Sequence, residues 1–580
     1  MKKKCLLLFI AIFCILGFQD LKAADIQGKV TLQNRQELLM EGQVILTPIS
    51  KELKRYVTQV DKSGTFFYKD LPAGHYEVKM DLHGLTKLKK VVEIKDPDES
   101  LVLEEQVITL STLDKVLIFT VKASDFMWFP LMVLLLLGTG ILLTVLCRFV
   151  QVRRLFLSLK MVVLGARHKD STDKEEGDIS PYAALMTALA ATVGNGNIAG
   201  VATAIATGGP GAPVWMWIAG FFGMATKYAE GFLGVKFREK NKKGEMSGGP
   251  MYYARNGIKN RHLSKFLGLF FAVCGAIACL FGTGNMAQSN SMALVFNDQF
   301  NVPFWLTGLV ITTVVGMVVL GGIKRIGSVS ERLVPTMIIL YFTGSLVIIF
   351  ANITNLPHAL SVIFKSAFSV KALGGGLIGA SIKDAIALGV RRGLVSNESG
   401  LGSAAIAQSA SKSSDPSKNG LIAMTGTFID TIVVNTLTTL SIVITGLYLM
   451  TPAFRAAEQY TSTQLTAKAF DSVIPFGGYI IAISSLLFGY STLLGWCYYG
   501  EKCLEYIFGV RIVIPFRIVF LILLFIGSNI QGEHLNIIWN VGDMANAFMA
   551  LPNLITLLIL SGLVGKVTND YFFKKKKSPL

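Results

Sequence analysis

Two patterns of hydrophobic and polar positions follow one another along the chain. Between Asp25 and about Ser111, polar and apolar residues alternate in short stretches such as QVILTP, GTFFYKDL and GHYEVKM, separated by turn sequences such as DKSG and LPAG. Alternation with a period of two and regular turns is typical of antiparallel strands that bury one face. This pattern predicts a small β-sandwich over residues 24–115, which contains no cysteine to form a disulfide.

Apolar runs dominate the rest of the chain, each close to the roughly 20 residues that a helix needs to cross a bilayer. They predict a mainly α-helical, polytopic membrane domain of eleven helices over residues 124–566, followed by a basic cytoplasmic tail over 567–580. The runs lie at 126–148, 181–206, 214–236, 265–294, 302–321, 333–351, 373–396, 420–447, 474–499, 513–529 and 537–565.

The N-terminus has the features of a secretory signal peptide. MKKK is basic, the apolar segment after it is too short to span a bilayer comfortably, and small residues follow at Ala23 and Ala24. We therefore expect residues 1–23 to be a signal peptide and the β-sandwich to lie in the periplasm. A retained signal anchor is the alternative interpretation.

Composition supports the assignment to a membrane, and the distribution of basic residues argues against nucleic-acid binding. Of the 580 residues, 52% are hydrophobic and 16% are charged, and the mean hydropathy of +0.53 exceeds that of soluble proteins. The net charge of +17 does not indicate nucleic-acid binding, because the basic residues form short clusters between apolar runs.

These clusters instead predict the orientation of the chain. If the N-terminal domain is outside, helix parity puts KFREKNKKGEM, GGIKRIGSVSER, RRGLVSNESG, GEKCLEYIFGVR and the final KKKK in the cytoplasm. Lys and Arg are enriched in cytoplasmic loops, so the two arguments agree. We expect a multi-pass protein of the bacterial inner membrane with its C-terminus in the cytoplasm.

The second apolar run is interrupted by Gly-Asn-Gly-Asn at residues 194–197. In lipid, irregular backbone is tolerated only where it lines a cavity or is buried in protein. An unwound helix there would offer N–H groups to a carboxylate and carbonyls to a cation. Close packing of Gly196 and Gly200 is the alternative, but the two asparagines favour a site. The seventh run is also interrupted and enters from the opposite side, which indicates an inverted repeat.

Six motifs together resemble the alanine or glycine:cation (sodium) symporter family, from about Leu137 to near Pro552. The resemblance implies a leucine-transporter-type 5+5 inverted repeat with one extra N-terminal transmembrane helix. It implies sodium-coupled import of small neutral amino acids by alternating access, with Na⁺ as coupling ion, no other cofactor and no enzymatic activity. The motifs are TALAATVGNGNIAGVATAI, MSGGPMYY, GGIKRIGSVSERLVP, RRGLVSNESGLGSA, FIDTIVVNTLT and FGYSTLLGWCYYGEKCLEY.

The same resemblance assigns candidate site residues. For the amino acid these are Gly194, Asn195, Gly196, Asn197, Gln288 and Trp496, and for the cation they are the carbonyls of Ala190 and Val193 and the hydroxyls of Ser491 and Thr492. Each has a structural alternative. Gln288 could join helices, Trp496 could be a packed aromatic, and the hydroxyls could bond to the preceding turn of their own helix.

Asp384 is the acid nearest the second interruption and is a further substrate-binding candidate, although the neighbouring Lys383 could simply neutralise it. Because a buried acid in a transporter can carry a proton, Asp384 also leaves a proton-coupled amino-acid transporter as an alternative function. The alternative of another class is a membrane receptor or sensor that uses the exported sandwich. That sandwich resembles carboxypeptidase-regulatory-like domains in DKSGTFFYKDLPAGHYEVKM, and an unknown periplasmic partner of it stays an open alternative.

The orientation can be tested with reporters that are active only outside the cytoplasm. A fusion after Ser111 should be active, because no apolar run of the membrane domain separates it from the exported N-terminal domain. A fusion at Gly244 should be inactive, because three apolar runs lie between it and that domain. The opposite pattern, with equal expression of both fusions, would contradict the parity argument.

Overall fold

The computed structural model describes residues 24–572 apart from short gaps, and the chain divides into two compact units. One contains Met1–Phe119 and Arg455–Gln459, and the other contains Thr120–Phe454 and Tyr460–Leu580. The expected signal peptide and the last residues of the expected tail, 573–580, lie outside the described residues. The gaps are 33–42, 49–55, 61–64, 83–84, 95–100, 109–111, 168–175, 283, 369–381, 452–459, 461 and 532–533.

The described strands of the first unit form two sheets. They are β1 Ala24–Leu32, β2 Gln43–Pro48, β3 Tyr56–Gln59, β4 Thr65–Leu71, β5 Gly74–Leu82, β6 Leu85–Ile94 and β7 Leu101–Ile108. The strand orders are β4-β1-β7 and β3-β2-β5-β6. Strands β1 and β7 pair in parallel, which corrects the expectation of purely antiparallel pairing. They are far apart in sequence, so no hairpin turn forces them to run antiparallel.

Alternate side chains of β4 and β5 are buried, whereas three consecutive residues of β2 are. In β5, Tyr76, Val78 and Met80 are buried, whereas the residues between them are half-buried. The Tyr68 hydroxyl of β4 donates to the Val44 carbonyl of β2, so a hydrogen bond joins the two sheets. In β4 and β5 the period of two in the sequence therefore corresponds to one buried face.

All eleven apolar runs overlap helices. The α-helices are Thr112–Phe126, Val133–Leu146, Val150–Arg153, Leu155–Arg167, Pro181–Thr192, Val201–Gly208, Ala212–Lys236, Pro250–Gly257, Arg261–Phe281, Met286–Phe300, Phe304–Val319, Gly322–Ala351, Leu356–Phe368, Ile382–Asn397, Ser403–Ser409, Pro416–Thr427, Thr436–Ile444, Ser462–Asp471, Gly477–Phe508, Val513–Asn529 and His534–Phe572. Segments Met127–Met132, Gly196–Gly200 and Phe428–Asn435 are π-helical, and Ile353–Asn355, Leu447–Met450 and Val510–Ile512 are 3₁₀ turns. A short hairpin pairs Glu239–Lys240 with Met246–Ser247.

Among the described residues, six helices are long and apolar enough to cross a membrane, or seven if one bent pair counts as a single span. The bent pair is Pro181–Thr192 with Gly196–Gly208. The second unit is therefore a mainly helical, polytopic membrane domain. Among the shorter apolar helices, Pro130–Leu146 and Leu155–Ala166 precede these spans in sequence, and Phe304–Val319 lies between two of them.

Two details differ from the sequence expectations. The run 265–294 forms two helices where the sequence predicted one, and Gln288 lies in the first turn of the second, Met286–Phe300. Arg391 and Arg392 belong to the helix Ile382–Asn397 and not to a cytoplasmic loop. The positive-inside rule counts loop residues, so these two arginines carry no information about orientation.

Glycines allow close helix contacts in the second unit. A Cβ on Gly420 would lie 2.8 Å from the Tyr228 carbonyl oxygen, which brings Pro416–Thr427 against Ala212–Lys236. Gly562, in contrast, is exposed and has open space around it. Small residues at such contacts let helix backbones approach in a membrane protein.

Gly420→Ala should lower stability by roughly 1–3 kcal/mol, because the added methyl group meets backbone that cannot move without shifting a helix. Gly562→Ala is the matched control and should be neutral or raise stability by up to about 1 kcal/mol through helix propensity. Thermal unfolding of the purified full-length chain would measure both. Equal midpoints for the two variants would contradict the close contact.

Candidate functional site

The first broken helix, Pro181–Gly208, bends by 48° at its interruption. The helix begins with Ser180, whose Oγ accepts from the Ala183 N–H at 2.9 Å. At Val193 the backbone leaves the helical region, with φ −75° and ψ 91°. A Cβ on Gly194 would collide with the Thr492 hydroxyl, so only glycine permits this approach.

Asn197 satisfies the backbone at this interruption. Its Oδ1 accepts from the Gly194 N–H at 2.9 Å, and its own N–H donates to the Gly194 carbonyl at 3.0 Å. The Thr438 hydroxyl donates to the Asn197 carbonyl at 2.8 Å. A buried backbone group without a partner is costly, so these bonds stabilise the unwound segment.

The Asn197 side chain points into a polar cluster. Its Nδ2 donates to Asp430 Oδ1 at 2.7 Å and to Asn435 Oδ1 at 2.8 Å. The Asp430 carboxylate also accepts from the hydroxyls of Ser396, at 3.0 Å, and Thr431, at 2.8 Å. Asn197 does not line the cavity described next, and its expected contact with a substrate carboxylate stays a prediction.

A cavity of about 250 Å³ lies at the interruption. Of the residues that the sequence selected for binding, six line it: Gly194, Asn195, Gly196, Gln288, Thr492 and Trp496. They come from three separate helices. Further lining residues are Ala191, Thr192, Ala199, Gly200, Thr203, Asn290, Ser291, Leu294, Arg392, Val395, Glu398, Ser462 and Trp539.

Asn195 and Gln288 form part of the polar wall of this cavity. Asn195 Nδ2 donates to Gln288 Oε1 at 3.0 Å, and Asn195 Oδ1 accepts from the Ser485 hydroxyl at 2.6 Å. Gln288 therefore joins two helices and also faces the cavity, so the two readings of this residue are compatible.

The expected cation ligands are only partly brought together. The Ser491 hydroxyl lies 3.4 Å from the Val193 carbonyl oxygen and donates to the Phe488 carbonyl at 2.9 Å. The Thr492 hydroxyl donates to the same Phe488 carbonyl at 2.9 Å. Both hydroxyls thus bond to the preceding turn, while Ser491 also meets the unwound chain. Ala190 is buried in the last turn of Pro181–Thr192.

Asp384 lies in the helix Ile382–Asn397, but its side chain is outside the described residues. Its expected part in substrate binding stays a prediction. No cluster of three or more His, Cys, Asp or Glu side chains that could hold a metal ion occurs in the described part of the chain.

In the described part of the chain, the second interruption follows Asn397, beyond the end of the run 373–396 in which the sequence predicted it. Glu398, and not Asp384, is therefore the acid nearest to it, and the break is held by a buried carboxylate. Glu398 adopts φ 55°, and Gly400 and Gly402 have φ 95° and 82°. Glu230 Oε1 accepts from the N–H groups of Gly400 at 3.0 Å and Gly402 at 2.9 Å, and from Asn553 Nδ2 at 2.7 Å. One acidic side chain therefore replaces the helical partners that the break removes.

The sequence did not single out Glu230 or Arg392 as functional residues, and it did not place Glu398 at the cavity. A signal was present for Glu230, because an acid inside the apolar run 214–236 is costly without a specific partner. Arg392 was not predicted as a site residue, because its sequence segment was assigned to a basic cytoplasmic loop.

The family model and the sequence relatives indicate one family. Residues 114–579 match the sodium:alanine symporter family. The sodium/alanine symporter AgcS of Methanococcus maripaludis is 48% identical over 77% of this chain and 95% of its own length. The amino-acid carrier protein AlsT of Bacillus subtilis is 33% identical over 78% of this chain and 92% of its own length. The crystal structure of MhsT in complex with L-phenylalanine aligns with 68% of this chain and 98% of its own, at 12% identity and a TM-score of 0.45.

Asn197→Ala should destabilise the chain more than Asn195→Ala. Removal of Asn197 leaves buried groups without partners, at about 1–3 kcal/mol for each, whereas water in the cavity can replace the bonds of Asn195. Thermal unfolding of the two purified variants would measure the difference. If Asn195→Ala lowers the midpoint as much as Asn197→Ala, the break does not depend on Asn197.

Proposed function

The chain belongs to the sodium:alanine symporter family, and from this we propose that it imports small neutral amino acids, most of all alanine or glycine, together with Na⁺ by alternating access. The observation that carries the proposal is the cavity at the first broken helix, with charged, amide and apolar groups in its wall. Cavities of this kind between discontinuous helices are where secondary transporters bind their substrates.

The size of the cavity supports a small substrate. Its volume of about 250 Å³ is below the roughly 300–1,000 Å³ of pockets that take drug-sized ligands. Trp496 limits the space further. A Cβ on Gly284 would lie 2.7 Å from its ring, so the indole is packed closely against this glycine. We propose that Asn195, Gln288 and Trp496 contact the amino acid.

The contact between Ser491 and Val193 supports a cation site. A hydroxyl and a carbonyl oxygen from two different helices approach each other here, and hard cations take oxygen ligands. We propose that Na⁺ binds between the unwound chain, through Val193 and Ala190, and the hydroxyls of Ser491 and Thr492. Ion binding would then tie the two helices together and organise the neighbouring cavity.

A second cavity of about 530 Å³ shares Ser291, Leu294 and Ser462 with the first. We propose that it is the route by which the substrate enters from outside. The 5+5 inverted repeat, the extra helix before it and the inner-membrane orientation with an external N-terminal domain complete this proposal.

The strands before residue 109 lie outside the family match, which begins at residue 114. We propose that residues 24–115 form a periplasmic sandwich of the carboxypeptidase-regulatory-like kind after cleavage of the signal peptide. The transport cycle needs no contribution from it, because all proposed ligands lie in the membrane domain.

Uptake of labelled alanine and glycine into proteoliposomes tests the proposal. An inward sodium gradient should drive accumulation, and its replacement by a potassium gradient should abolish it. Uptake that follows a proton gradient without sodium would favour proton coupling, and no accumulation of either amino acid under any gradient would reject the transport proposal.

Ser491→Ala combined with Thr492→Val should raise the sodium concentration for half-maximal uptake about tenfold, the equivalent of about 1.4 kcal/mol. Alanine affinity should recover as sodium is raised, because coupling between two binding sites is reciprocal. Thr556→Val is the matched control, since its buried hydroxyl donates to the preceding turn at 2.7 Å but does not line the cavity. An unchanged sodium dependence in the double variant would exclude these hydroxyls from the ion site.

A further inference from the structure

Two arginines follow each other in the helix Ile382–Asn397, and they have different surroundings. Arg391 donates to the Asp543 carboxylate at 2.6 Å and to the Ser124 hydroxyl at 2.9 Å. Arg392 makes no hydrogen bond or ion pair with any residue in the described part of the chain, and its Nε is buried without a partner. Asp543 is near enough to influence Arg392, but one carboxylate then faces two guanidinium groups.

Arg392 lines the cavity at the first broken helix, and so does Glu398. The wall therefore carries one positive and one negative side chain. A charge removed from water costs free energy unless an opposite charge and hydrogen bonds compensate it. An amino acid at neutral pH carries the two complementary charges, a carboxylate and an ammonium group.

Two groups that the sequence predicted for that carboxylate are already engaged by the protein. The Gly194 N–H already donates to Asn197 Oδ1 at 2.9 Å, and the Asn197 amide is directed to Asp430 and Asn435. Arg392 is the cationic side chain in the cavity wall. A guanidinium presents a planar set of donors that matches both oxygens of a carboxylate.

We propose that Arg392 binds the carboxylate of the transported amino acid and that Glu398 faces its ammonium group. This inference rests on the proposed function of the cavity and deepens it, because it states which part of the substrate the site requires. Amino acids with a free carboxylate are accepted, and amidated analogues are rejected because they leave the arginine unpaired.

Binding of labelled L-alanine to the purified full-length chain, at saturating sodium, tests the assignment. Arg392→Gln should weaken alanine binding about 10- to 100-fold, the range expected for a lost charge-assisted hydrogen bond. Arg392→Lys keeps the positive charge but not the planar guanidinium group, so it should weaken alanine binding less than Arg392→Gln does. Competition by L-alaninamide measures the preference for a free carboxylate, which would not change if Arg392 had only a structural role. The wild type should prefer alanine strongly, and this preference should largely disappear in Arg392→Gln.

Arg391→Gln is the matched control. It removes the same group from the adjacent position, where the partner is Asp543 and not the cavity. It should lower thermal stability but keep the preference for alanine over alaninamide. If Arg392→Gln does not give a folded protein, the test uses Arg392→Lys instead. A preference for alanine over alaninamide that is smaller in Arg392→Lys than in the wild type supports the assignment.

An unchanged preference in the folded Arg392 variant, with normal sodium-dependent binding in the wild type, would overturn the inference and leave the proposed function intact. A wild type that binds no small neutral amino acid with or without sodium would overturn both.

Discussion

Every backbone N–H and C=O inside a membrane must find a partner within the protein, because hydrocarbon offers none. The site of this chain depends on how that requirement is met at two interrupted helices. At the first interruption, Asn197 accepts from the Gly194 N–H, and at the second, Glu230 accepts from Gly400 and Gly402. Without these two side chains, an unwound segment next to the cavity would be too costly to maintain.

The need for hydrogen-bond partners at the second interruption explains two buried charges that would otherwise destabilise the fold. Lys227 and Glu230 are fully buried in the helix Ala212–Lys236, and Lys227 Nζ donates to the Asn397 carbonyl at 2.9 Å. The ammonium group thus meets the carbonyl end of the helix that stops at Asn397, where cations are favourable. The carboxylate meets the N–H groups that follow. One helix therefore supplies both kinds of partner to the second interruption.

The cavity lies where several helices converge on the first interruption, so a ligand there touches elements that are distant in sequence. Gln288, Trp496 and Arg392 line the same small space from three different helices. Ser491 connects the unwound chain to the helix Gly477–Phe508 beside this space. Occupation of the cavity and of the neighbouring cation site would bias the same helix contacts, which is the physical basis for coupling two ligands.

Local properties of the sequence were sufficient to predict helices at the apolar runs, the alternation in strands such as β5 and the interruption at Gly194. Hydropathy, periodicity and glycine placement act over a few neighbouring residues, so they can be read without the fold. The parallel pairing of β1 with β7 could not be predicted, because it joins segments that no short turn connects.

Only the tertiary structure decided what each polar side chain of the site faces. Asn195 faces the cavity and Gln288, whereas Asn197, two positions later, faces Asp430. Arg391 meets Asp543, while its neighbour Arg392 lines the cavity. Neighbouring residues of a helix or an unwound segment point in different directions, and their partners come from distant parts of the chain. The sequence determined that polar groups lie within the membrane, and packing determined which of them pair with one another and which remain available to a ligand.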